Sequence, residues 1–184
     1  MAVHNSHLPE LNLNVPKKSK TSRPGDACQN AHVAQPDAEE DIFPVVGIGA
    51  SAGGLSAFTK LLKTLPTDTG MAFILVQHLD SKHVSLLPEL MRRATSIPVV
   101  EVSDGLRVEP NTVYVMPPNH SVALLHKVLH LMPRSDGLGL HLPINDLFIS
   151  LAEDCQNKAI GVVLSGTASD GTLGILQITG YGRN

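Results

Sequence analysis

Apolar and polar positions follow no rhythm over residues 1 to about 41 and two distinct rhythms afterwards, so the pattern itself marks where a folded domain begins. The first stretch is rich in Pro, Ser, Asn, Lys and His and carries a basic cluster at Lys17, Lys18, Lys20 and Arg23, the composition expected of a disordered N-terminal tail. From Phe43 onward, short β-branched runs alternate with amphipathic stretches, the signature of parallel strands joined by crossover helices. The domain is therefore expected over 42–184.

Phe43 to Ile48 reads as a first strand. Leu55, Phe58, Leu61, Leu62 and Leu65 then recur at helical spacing until Pro66, and Ala72 to Gln77 forms a second buried strand ending at His78. Ser85 to Arg93 is expected to be a helix with Pro88 in its first turn, where the missing N–H does little harm. Val99 to Val102 and Thr112 to Met116 read as strands. Ser121 to Met132 alternates as a hairpin would, a departure from the βαβ rhythm. Ile144, Leu147, Phe148, Leu151, Ala152 and Cys155 give the cleanest helical stripe, followed by the buried strand Ala159 to Leu164, a turn over Ser165 to Gly171, and a helix beginning near Thr172. The fold class this predicts is α/β, a doubly wound, mainly parallel sheet.

Composition narrows the function classes. The chain has 184 residues, 42% of them hydrophobic, which is room for one ordinary domain with a core. Its net charge of -3, with no Trp, two Tyr and four Phe, supplies neither the basic excess nor the stacking platform of a nucleic-acid binder. Cys28 and Cys155 lie far apart and form no CxxC pair, which argues against a disulfide framework and fits a reducing cytoplasm. No stretch resembles a signal peptide or a membrane span, so a soluble cytoplasmic protein without direct membrane insertion is expected. His126 and His130 would share a face only on a helix, and that stretch reads as strand, so no metal is expected there. Cys155, on the apolar stripe, reads as a small core residue.

Chemistry concentrates in VVGIGASAGG, residues 45 to 54, where Ser51 sits between an apolar run and a helical pattern. Small neighbours let the backbone turn sharply and present the hydroxyl, as in a nucleophile elbow. The same residues, Gly47-Ile48-Gly49-Ala50-Ser51-Ala52, also fit the G-x-G-x-x-G/A turn of a dinucleotide fold. That alternative predicts an acidic residue closing the second strand, where His78 stands with Asp80 only beyond it, and it leaves Asp170 without a task. Ser51, His78 and Asp170 all follow strands expected to be parallel, and in an open α/β sheet that edge is where ligands bind. Together they supply the nucleophile, the general base and the orienting carboxylate of an acyl-transfer triad, which is defined by geometry and not by chain order. Each has a plainer reading: a helix-capping serine, a structural histidine and an Asp-Gly turn.

VVGIGASAGGLSAF, GMAFILVQHLD, VYVMPPN, HLPINDLFISLAED and AIGVVLSGTASDGTLG, in this order and spacing, closely resemble the chemotaxis protein-glutamate methylesterase family from Phe43 to the C-terminus. The resemblance implies a catalytic serine in the GAS-x-GG turn, a histidine in the QH pair and an aspartate in the final turn, here Ser51, His78 and Asp170. It implies hydrolysis of glutamate γ-methyl esters on chemoreceptor helices to glutamate and methanol, often with deamidation of receptor glutamines, and no cofactor or metal. The backbone N–H groups of Ala52 and Gly53 would serve the oxyanion. A sheet with a β-hairpin near the active site is the implied fold.

Three departures from the family qualify this. Ala52 stands where many members have a hydroxyl residue. Asn145 replaces an acidic residue and is expected to affect the rim more than the chemistry. GILQITGYGRN ends where the family continues through another strand and helix, so a shortened catalytic domain is expected, with an unpaired sheet edge and exposed apolar surface. A tail of about 41 residues is too short for the receiver domain of many such esterases, and the wording resembles most the esterase module placed ahead of a receptor methyltransferase in fused signalling proteins, so the head of such a protein, cut short by truncation or a frameshift, is the expectation. A non-catalytic fragment or a receptor-binding module is the alternative reading.

Overall fold

The computed structural model describes residues 42–51, 53–77, 86–134, 141–165 and 169–181. The tail over 1–41, His78, Asp80, Ser85, Ala52 and part of the turn before Asp170 lie outside them. Five parallel strands, β1 (Val45–Ala50), β2 (Ala72–Gln77), β3 (Val99–Glu101), β5 (Thr112–Val115) and β8 (Ala159–Ser165), pair in the order β3-β5-β2-β1-β8. Helices α1 (Gly54–Thr64) and α2 (Leu87–Ala94) cover one face through Phe58, Leu62, Leu87 and Met91. On the other face lies α3 (Pro143–Cys155), with α4 (Thr172–Tyr181) packed beside it. A doubly wound α/β sheet is what the alternating rhythms predicted.

Glycine decides how closely α3 can lie on the sheet. A Cβ at Gly47 would meet Leu151 Cδ1 at 2.5 Å and Phe148 Cε1 at 2.9 Å, and one at Gly49 would meet Ile144 Cγ2 at 2.5 Å. The apolar stripe Ile144, Phe148 and Leu151 thus rests directly on the backbone of β1. Gly161 on β8 and Gly174 on α4 also face Phe148, which is completely buried. Phe148→Ala would leave a void that these backbones cannot close, and a loss of about 3–5 kcal/mol, read as a fall in the denaturation midpoint, is the expected outcome.

This placement also answers the dinucleotide alternative. Gly47 and Gly49 lie inside β1, their Cα hydrogens under α3, and not in the turn after the strand where glycines approach a pyrophosphate. They are packing glycines. The first strand runs two residues later than the pattern suggested, from Val45 to Ala50, because the two glycines that blur its β-branched signature are inside it.

The expected hairpin is present as β6 (His120–Leu125) and β7 (Val128–Pro133), and a two-residue strand that the pattern did not reveal, β4 (Leu106–Arg107), completes a separate antiparallel sheet in the order β4-β7-β6. β6 runs along α3, tied by Ser121 Oγ to Asp146 Oδ2 at 2.7 Å and by the Leu124 N–H to Ser150 Oγ at 3.0 Å. Its open end therefore lies at the N-terminus of α3 and its tip at the C-terminus. At the tip, His126 and Lys127 both adopt positive φ, 50° and 60°, a conformation unfavourable for side-chain-bearing residues. Asp154 offsets that cost, since its carboxylate accepts the N–H groups of both His126 and Lys127. Asp154→Ala should lower stability by about 1–2 kcal/mol, because a strained turn loses the charged acceptor of both its N–H groups; urea denaturation measures it.

β8 forms one edge of the described parallel sheet. Beside it, Ile160 and Val163 on the strand and Leu173 and Leu176 on α4 are exposed, the last two at 62%.

Candidate active site

β1 leaves the sheet at Ala50 and α1 begins at Gly54, so the chain must reverse from strand to helix in three residues. Ser51 occupies that turn. Its N–H donates to the Ser165 carbonyl at 3.0 Å, and its own carbonyl accepts the Gly54 N–H at 2.9 Å. Gly53 closes the turn with φ 91°, a conformation glycine adopts without strain. Gly54 must also be small, because a Cβ there would overlap that of Ala50. The run of small residues is thus what the geometry of an elbow demands, and Ser51 is left half-buried at its apex.

Among the described residues no side-chain hydrogen bond caps the N-terminus of α1, which faces this turn with Gly53 at its N-cap. First-turn N–H groups of a helix carry partial positive charge and favour an anion. Gly53, one of the two expected oxyanion donors, stands at that N-cap; Ala52, the other, lies outside the described residues.

The register brings the other strand ends to the same edge. Ala50 pairs with Gln77 on β2 and with Ser165 on β8, so the residues before Ser51 and before His78 are direct neighbours. Ser165 was not singled out in the sequence. Its hydroxyl is buried without a hydrogen-bond partner among the described residues, one strand from Ser51, and only the paired register reveals that proximity.

Asp170 is buried, 8% exposed, and its carboxylate faces the start of α3. Oδ1 accepts the Asn145 N–H at 2.9 Å and Oδ2 accepts the Ile144 N–H at 3.2 Å. The carboxylate thereby caps α3 from outside the helix, a task the sequence did not disclose. A carboxylate has about four acceptor positions, so these two bonds leave others for a further donor.

Asn145 differs from its expected place on the rim. It is 4% exposed, and Oδ1 accepts the Gly174 N–H at 3.0 Å, joining α3 to α4 beneath Asp170. An amide suits that position because the acceptor faces an uncharged backbone donor in a buried setting, where an unpaired carboxylate would be costly.

A family model described as CheB methylesterase matches residues 46–184. The chain belongs to the CheB methylesterase family. The fold is also similar to the crystal structure of the CheB methylesterase catalytic domain of Thermotoga maritima, with a TM-score of 0.68, 26% identity and 76% of each chain covered. A protein-glutamate methylesterase/protein-glutamine glutaminase of Methanosarcina barkeri is 28% identical over 98% of this chain and 49% of its own length. One of Pectobacterium atrosepticum is 31% identical, over 89% of this chain and 46% of its own length. The chain thus spans about half the length of these curated relatives. Among the described residues of this CheB-type domain, no helix is long and apolar enough to cross a membrane.

Proposed function

We propose that this chain hydrolyses glutamate γ-methyl esters of chemoreceptors to glutamate and methanol, and deamidates receptor glutamines at the same site. The observation that carries the reading is the Ser51 elbow at the N-terminus of α1, in a chain of the CheB methylesterase family. In this reading Ser51 Oγ attacks the ester carbonyl while His78 takes its proton and later returns it to the departing methoxide. Asp170 holds the imidazole in the useful tautomer. The backbone N–H groups of Ala52 and Gly53 meet the oxyanion. Water then attacks the acyl-enzyme, with His78 again as base, and releases the glutamate carboxylate.

The substrate is the methylated helix of a receptor on its cytoplasmic side, so the protein acts in the cytoplasm. A receptor methyltransferase supplies the ester and is the functional partner this reading implies. The folded unit begins at 42, with 1–41 as a tail. Release of methanol from receptor carrying radiolabelled methyl esters tests the proposal. Release by the wild type supports it; a protein that is folded by circular dichroism and releases none overturns it in favour of a receptor-binding module.

A further inference from the structure

At the opposite end of the sheet from Ser51, where β1 begins, a second cluster of reactive side chains has no part in the proposed hydrolysis. Lys127 folds back from the hairpin tip onto the C-terminal end of α3, and its side chain is only 20% exposed. Its Nζ donates to Asp154 Oδ2 at 3.3 Å and lies 3.0 Å from Cys155 Sγ. Asp154 is itself largely buried and holds both N–H groups of the turn, so lysine and cysteine are presented from anchored backbone. A cleft of about 240 Å³ is lined by Lys127, Asp154 and Cys155 together with Ile42, Phe43 and Lys158. That volume admits a molecule of the size of water or peroxide.

We propose that Lys127 and Cys155 form a site of oxidative modification, at which hydrogen peroxide joins them through a covalent Nζ–O–Sγ bridge. One peroxide converts the Cys155 thiol to sulfenic acid and leaves as water. A second converts the Lys127 amine to a hydroxylamine and also leaves as water. Condensation of the two hydroxyl groups forms the bridge and expels a third water. The pair loses four electrons and two peroxides gain them. Before the second step the ammonium must shed a proton, and the Asp154 carboxylate bonded to that nitrogen is the acceptor at hand.

Geometry favours the oxygen bridge over a direct S–N bond. Nζ and Sγ stand 3.0 Å apart, a gap that one intervening oxygen spans with the two atoms nearly in place, whereas a direct S–N bond needs them to approach further. Burial pushes the Cys155 thiol above its ordinary range against the pull of Lys127. Burial alone would lower Lys127, but Cys155 and Asp154 outweigh it and hold the ammonium above the ordinary value. The resting pair is therefore thiol and ammonium, which makes the site one for sustained peroxide exposure.

The experiment treats the full chain carrying Cys28→Ser with hydrogen peroxide and maps its peptides by mass spectrometry. The expected result is a linked pair holding Lys127 and Cys155, about 14 Da heavier than the two peptides together, from one oxygen gained and two hydrogens lost. Dithiothreitol should reverse it. Because the link closes the loop between the hairpin tip and α3, Tm should rise by several degrees and fall back on reduction. Lys127→Arg keeps a cation beside Asp154 and should acquire only unlinked oxygen additions at Cys155. An unmodified Cys155, unlinked additions alone in the parent, a direct link about 2 Da lighter than the two peptides, or the 14 Da link persisting in Lys127→Arg would each overturn the proposal.

Discussion

Ser51→Ala is expected to cut methanol release by a factor on the order of 10^6 while leaving the fold intact, because in serine hydrolases loss of the nucleophile costs about that much in turnover. The two parts of this expectation rest on different atoms. The bonds that hold residue 51 in its turn, to the Ser165 carbonyl and from the Gly54 N–H, are made by backbone, which alanine retains. Only the hydroxyl is lost. Circular dichroism and the denaturation midpoint should therefore match the wild type within about 0.5 kcal/mol. A variant that is folded and still releases methanol at the wild-type rate would remove Ser51 from the chemistry, whatever the family of the chain.

Asp170 should show the reverse, a residue whose loss damages both stability and turnover. Asp170→Ala deletes the acceptor for the Ile144 and Asn145 N–H groups, leaving the buried start of α3 without partners. A loss of about 2–4 kcal/mol follows from two bonds to a charged group and the exposure of a helix N-terminus. Asp170→Asn separates the two roles. Its amide oxygen can still accept one of the N–H bonds, so stability should fall less, yet an uncharged group cannot hold the histidine tautomer and turnover should fall by about 10^4. Comparison of kcat with the urea midpoint for both variants checks this. An Asp170→Asn enzyme with normal kcat would leave Asp170 as the cap of α3 and nothing more.

The shape of the candidate site was legible wherever it is written in local sequence. Ser51 is such a case: small residues between a strand and a helix are required by the sharpness of the turn itself, and each of Gly53 and Gly54 has its steric reason within a few residues. The hairpin was legible for the same reason, since alternation over two short runs has period two whatever lies beneath. Where the reading failed, the deciding neighbour was remote. Asn145 reads as a rim residue in the sequence because its partner, the Gly174 N–H, lies 29 residues away on another helix. β4, two residues long, has no periodicity to detect and exists only because β7 pairs with it.

The sequence by itself determined the alternation of strands and helices, the elbow and the family, because these depend on residue type and spacing along the chain. Only the tertiary structure decided what Gly47 and Gly49 are for, since the same G-x-G serves a phosphate in a turn and a helix on a strand; Ile144, Phe148 and Leu151 lying on them settle the matter. It likewise showed that Asp170 caps α3 and that Lys127 meets Cys155. Those contacts join residues 25 or more positions apart, and no local pattern encodes which distant donor a carboxylate or a thiol will meet once the helices have packed.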